Sequence, residues 1–180
     1  MFKLIKNLFN KKSTNKSVEE ADSSNLKSFT IDRADYLFEH ALELYCQSHQ
    51  TSVESLSEEE LALVEKRAGY HIANFLVWLA KHDLLGSETS GYDYEGAQLL
   101  KEEKISGSDY LFDYCDGKLW SIDVSDKLYP FIKDFYQDYL DFCTTVLVDK
   151  MAQTDFTWSN YHLLEEDIDE IFASYKEQLV

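Results

Sequence analysis

The stretch that most limits what this chain can fold into is Ile72–Ala80, IANFLVWLA, which is apolar on nearly every face of a helix. Such a helix must be covered on several sides, so it belongs at the centre of a helical domain. Upstream, Ser57 and Glu60 form a capping box, followed by Leu61, Val64, Ala68, Ile72, Phe75, Leu76 and Leu79 at helical spacing. The spacing predicts a central helix over 58–82 with Gly86 just beyond its end, and Gly69 near the middle is its weak point. The apolar run contains Asn74 and is far shorter than the roughly 20 residues that cross a bilayer.

The other elements are arranged around this helix. Ala34, Leu37, Phe38, Ala41, Leu44 and Tyr45 predict a helix capped by Thr30 or Asp32 and running to about Ser48. Residues 49–56 are a polar connection and 87–96 a loop. A short helix around Leu99 and Leu100 covers 97–104, and a capped one runs from Asp109 to Cys115 and stops at Gly117. Lys118–Val124 alternates as an extended segment. Two long helices close the chain, one from Asp126 or Pro130 to about Val148, the other from Thr157, as cap, to Leu179. One Pro and six Gly provide few of the turns a β-sandwich needs. The expected architecture is all-α: a single compact, bundle-like domain of five or six helices over 29–180, preceded by a leader and polar linker over 1–28.

Charge narrows the function. With 34 acidic and 17 basic side chains the net charge is −17, which repels phosphates and excludes ordinary nucleic-acid binding. Residues 1–16 hold Lys3, Lys6, Lys11, Lys12 and Lys16 and no acid, so the remaining 12 basic and 34 acidic groups leave a body of −22. On a helix, Phe2, Leu4, Ile5, Leu8 and Phe9 lie opposite Lys3, Lys6 and Asn10, a pattern for weak contact of residues 1–12 with an anionic membrane. The alternative is a basic leader resting on the acidic body. Cys46, Cys115 and Cys143 are odd in number and lie in apolar helical segments, which predicts free thiols and a reducing cytoplasm.

No catalytic or cofactor motif is present. His40 with Glu43 and Cys46 with His49 match no metal-ligand pattern, and GxSxG, GxGxxG and P-loop sequences are missing, so no metal or cofactor is expected. His71 lies on the stripe Val64, Ala68, His71, Phe75, Trp78, which points it inward and requires a hydrogen-bond partner. The acids gather in the second half: Asp109, Asp113 and Asp116; Asp134, Asp138 and Asp141; Glu165, Glu166, Asp167, Asp169 and Glu170. Tyr110 and other aromatics stand beside them, a composition that suits anchoring of a basic protein partner.

Four pieces carry a family resemblance: IDRADYLFE (31–39), HIANFLVWLAKHDLLG (71–86), YCDGKLWSIDVS (114–125) with FIKDFYQDYLDF after it, and TWSNYHLLEEDIDEIFASYK (157–176). Together they resemble an uncharacterised bacterial domain family with a HIGxFLxW core, here His71, Phe75 and Trp78, with Ala73 where the pattern favours Gly. Its members resemble the acidic immunity proteins of polymorphic toxin systems. The resemblance implies a non-catalytic protein that binds and neutralises a cognate toxin domain. The sequence also admits two other readings: an acidic nucleic-acid mimic occupying a basic protein, and an enzyme with a pocket around His71, Asp116 and Trp120.

Overall fold

The computed structural model describes residues 29–86, 94–146 and 153–176. The leader and linker, most of the predicted 87–96 loop and the expected helix ends at Val148 and Leu179 lie outside the described residues. The fold is mostly helical. Among the described residues there are seven α-helices: α1 (Phe38–His49), α2 (Glu58–Ala68), α3 (Tyr70–Lys81), α4 (Tyr94–Lys101), α5 (Gly107–Asp113), α6 (Ile132–Val146) and α7 (Trp158–Lys176). A two-stranded antiparallel sheet, β1 (Thr30–Arg33) with β2 (Lys118–Trp120), accompanies them.

The predicted centre is the observed one. In α3 every residue from Tyr70 to Ala80 is buried, as an all-round apolar helix requires. The capping box is also real: Glu60 N–H donates to Ser57 Oγ at 3.2 Å and Ser57 N–H to the Glu60 carboxylate at 2.8 Å. The single helix over 58–82 is replaced by two. Gly69 separates α2 from α3, and a Cβ there would lie 2.6 Å from Leu111 and 3.2 Å from Ala34. The break lets α5 and the chain before α1 approach the joint.

The first helix begins later than expected. Thr30 and Asp32 do not cap it; they belong to β1, in register Thr30↔Trp120, Asp32↔Leu119 and Arg33↔Lys118 with an irregularity between Thr30 and Asp32. The Ala34 N–H continues the ladder to the Gly117 carbonyl at 2.9 Å. This pairing turns Asp32 and Leu119 inward and leaves Arg33 and Lys118 at the surface side. A one-turn helix over Ala34–Tyr36 then leads into α1.

Glycine decides one more contact. Gly107 opens α5 against α3, where a Cβ would lie 2.8 Å from the Ala73 carbonyl oxygen, from Val77 and from Phe156. Gly107→Ala should therefore destabilise the protein by about 1–3 kcal/mol in urea unfolding, because one of the three neighbours is backbone and cannot rotate away. A change near zero would mean that α5 can shift off α3 freely.

Two apolar clusters result. The larger surrounds α3 and takes in α5, α6 and α7; the smaller joins α1 to α2 through Phe38, Ala41, Leu42, Tyr45, Val64 and Ala68. Helix α7 runs antiparallel to α6, since Phe172 and Tyr175 near its end meet Phe135 near the start of α6, with ring centroids 5.2 and 5.4 Å apart. Thr157 caps α7 as predicted, accepting the Asn160 N–H at 3.1 Å. Pro130 sits in a one-turn helix, Tyr129–Phe131, just ahead of α6.

Candidate functional site

His71 finds its partner in β1. Its Nε2 lies 2.9 Å from Asp32 Oδ2, which also accepts the Tyr136 hydroxyl of α6 at 2.7 Å, while Asp32 Oδ1 accepts the Arg33 N–H at 2.6 Å. All three side chains are buried. Burial by itself raises the Asp32 carboxyl, but the hydrogen bond and electrostatic pull of His71 and the bonds from Tyr136 and Arg33 outweigh it and hold the group below its ordinary value. Burial first, then the Asp32 charge and hydrogen bond, pushes Tyr136 far up, so it stays a donor. Tyr139 adds a second tie, donating to the His71 carbonyl at 2.8 Å.

Chemically this is a charge-assisted network that joins sheet, α3 and α6, with the Cys143 thiol beside it, bonded to Tyr139. Cys143 is buried with its thiol pushed up to about 12 by burial, and Cys115 is raised in the same way, which leaves both inert. Asp116 is exposed and ion-paired with Lys118, and Trp120 is half-buried with Lys118 5.4 Å above its ring. Neither shares a bond with His71 among the described residues. No group of three or more His, Cys, Asp or Glu among the described residues is placed to hold a metal ion.

Phe75 and Trp78, the other members of the core motif, are fully buried. Phe75 packs edge-on against Tyr136 at 4.8 Å, and Trp78 against Phe172 at 4.8 Å. The indole N–H of Trp78 donates to Asp169 of α7 at 2.9 Å, and His82, stacked on the indole at 4.3 Å, reaches the same carboxylate at 3.2 Å.

The acidic residues therefore divide. Tyr110 is 1 % exposed and belongs to the core instead of the surface expected for it. Asp109, half-buried, bonds Lys66 at 2.7 Å and also Ser106, the α5 cap, so it ties the start of α5 to α2. Asp169 is engaged by Trp78. Asp113, Asp116, Asp134, Asp138, Asp141 and Glu166 are exposed, and Glu165 is half-buried, accepting from Tyr161 at 3.1 Å.

Arg33, Lys66, Arg67, Lys81, Lys101, Lys104 and Lys118 pair with Asp35, Asp109, Asp155, Glu103, Asp83, Glu102 and Asp116 respectively. Among the described residues, no Lys or Arg pairs with any acid of α6 or α7. The uncompensated charge lies on the outward faces of these two neighbouring helices: Asp134, Asp138 and Asp141 on one, Glu166 and Glu170 on the other. Tyr175 of α7 donates to Asp138 at 2.6 Å and places the α6 row beside α7.

A family model described as a domain of unknown function, DUF7832, matches residues 30–163, from the first residue of β1 into α7. The chain belongs to this family. The matched region contains Asp32, His71 and Tyr136, so the buried network lies wholly within the family domain, whereas Glu165–Glu170 fall beyond it. Neither among curated proteins nor among solved structures does anything match. No helix among the described residues is long and apolar enough to cross a membrane.

Proposed function

We propose that this member of the family is a non-catalytic binding protein that neutralises a basic toxin domain, docking it on the outward faces of α6 and α7. The observation that carries the reading is the uncompensated charge of those faces. Elsewhere seven cations are ion-paired with acids, while among the described residues no acid of α6 or α7 is ion-paired with Lys or Arg, Lys133 of α6 lying instead over the Phe29 ring. Like charges one helical turn apart cost roughly 0.2–0.5 kcal/mol per pair, a cost that a basic partner would relieve. Charge complementarity of this kind accelerates encounter and fixes orientation more than it adds affinity. The His71 network fits the same reading, because Asp32, His71 Nε2 and Tyr136 are tied to one another and sealed from solvent, although His71 Nδ1 is buried without a partner among the described residues.

The partner is a protein bearing a lysine- or arginine-rich face, encoded beside this gene. The test pairs the native chain with a variant carrying Asp134→Asn, Asp141→Asn, Glu166→Gln and Glu170→Gln. The variant should fold with unchanged or slightly raised stability, yet associate with the neighbouring toxin domain at least about tenfold more slowly at low salt, with a weaker salt dependence. Cells that make the toxin domain should survive with the native chain. Equal killing with and without it would refute the neutralising role.

A further inference from the structure

Two aspartates are buried among the described residues, and their surroundings are opposite. Asp32 receives three donors, His71, Tyr136 and the Arg33 amide. Asp123, 5 % exposed, receives one among the described residues, the Trp120 N–H at 2.7 Å. Its titratable neighbours are the Cys115 thiol and the Tyr110 phenol, which hydrogen-bond each other and are both raised, first by burial, so that they stay neutral. The main chain of Asp123 and its neighbours pairs with Leu84, Leu85 and Gly86, none of them titratable. No Lys, Arg or His pairs with Asp123 among the described residues, so only the Trp120 N–H offsets the cost of a buried negative charge there.

The same segment holds the exit of the central helix. The Gly86 N–H donates to the Asp123 carbonyl at 2.9 Å, Leu85 bridges Val124 antiparallel, and the Ser125 N–H donates to the Leu84 carbonyl at 2.8 Å. Whatever loosens residues 121–125 also releases 84–86.

We propose that Asp123 is a proton-operated latch: with its carboxyl protonated it closes residues 121–125 onto Leu84–Gly86, and with its carboxyl ionised it weakens that closure. The inference is independent of the toxin-binding reading. Burial pushes the carboxyl up to about 6, against the lowering bond from Trp120. A folded value above the ordinary one means that the closed form holds the proton more tightly than the open form. Closure is therefore strongest at acid pH and is lost progressively as pH rises from the ordinary aspartate range through about 6.

Amide hydrogen exchange of the full chain tests this, corrected for the intrinsic pH dependence of exchange. Protection of the Gly86 and Ser125 amides should fall about tenfold between pH 5 and 7.5, while Asp123→Asn, which keeps a side-chain acceptor for Trp120, should hold the protected value at both. Protection independent of pH in the native chain, or the same fall in Asp123→Asn, would overturn the proposal. A carboxyl carbon titration of native Asp123 serves if the variant does not fold. A midpoint near 6 supports the latch, and one near the ordinary aspartate value removes it.

Discussion

Asp32→Ala should cost the protein about 3–5 kcal/mol, because it leaves the His71 Nε2, the Tyr136 hydroxyl and the Arg33 amide without their common acceptor. The effect exceeds that of an ordinary polar truncation because three elements lose their tie at once: β1, α3 and α6. Tyr136→Phe removes one donor and leaves the others bonded, so it should cost less, about 1.5–3 kcal/mol, the range for a hydrogen bond to a charged group. The two variants are to be compared by urea unfolding at pH 7, and a loss below about 1 kcal/mol for Asp32→Ala would show that the network does not hold these elements together. Acid adds a second signature. Since Asp32 is held below its ordinary value in the folded state, its contribution is complete above that ordinary value and is lost as pH falls through the lowered one. Asp32→Ala should lose part of the acid limb of the stability profile and leave the profile above it unchanged in shape.

The sign is opposite at Asp123, and the pair explains why composition alone says little about acid sensitivity. Both are aspartates buried near the two-stranded sheet. One is held ionised by three donors; the other is held toward protonation by neutral neighbours. Donor count sets the direction, because burial acts the same way on both.

What could be read from the residues follows how local each determinant is. The Ser57–Glu60 box, the Thr157 cap and the all-round burial of α3 depend on neighbours within a helical turn or on one helix's own surface, and they were legible. The strand over Thr30–Arg33 depends on Lys118–Trp120, far along the chain, and helical spacing downstream of Thr30 hid it. The break at Gly69 is set by Leu111 and Ala34, neither of them near in sequence to the glycine. His71 announced itself as a buried imidazole in need of a partner. Its partners did not, since Asp32 and Tyr136 lie 39 and 104 positions apart from the groups they meet. The acidic surface was half legible: spacing placed Asp134, Asp138 and Asp141 on one face, but whether an acid faces solvent or a buried donor depends on the packing of α5 and α7.

Asp169 is the clearest case, and Trp78 tests it. Trp78→Ala should destabilise the protein by about 3–5 kcal/mol, the range for removing a fully buried large aromatic from a packed core. The indole fills the space between α3 and α7 against Phe135 and Phe172, and helix α7 supplies the Asp169 acceptor for its N–H. Asp169→Ala alone should cost about 1–3 kcal/mol, since it leaves a buried N–H unpaired, while Glu166→Ala, one turn away on the outward face, should stay within about 0.5 kcal/mol. Trp78→Phe keeps most of the apolar volume and removes the donor, so in combination with Asp169→Ala the losses should fall short of additive by about 0.5–3 kcal/mol. Strict additivity would mean that the two side chains do not act as a pair. The same variants separate stability from docking: if α6 and α7 carry the partner, Glu166→Ala should weaken toxin association while sparing the fold. Asp169→Ala should act in the reverse order, through the seating of α7 on Trp78.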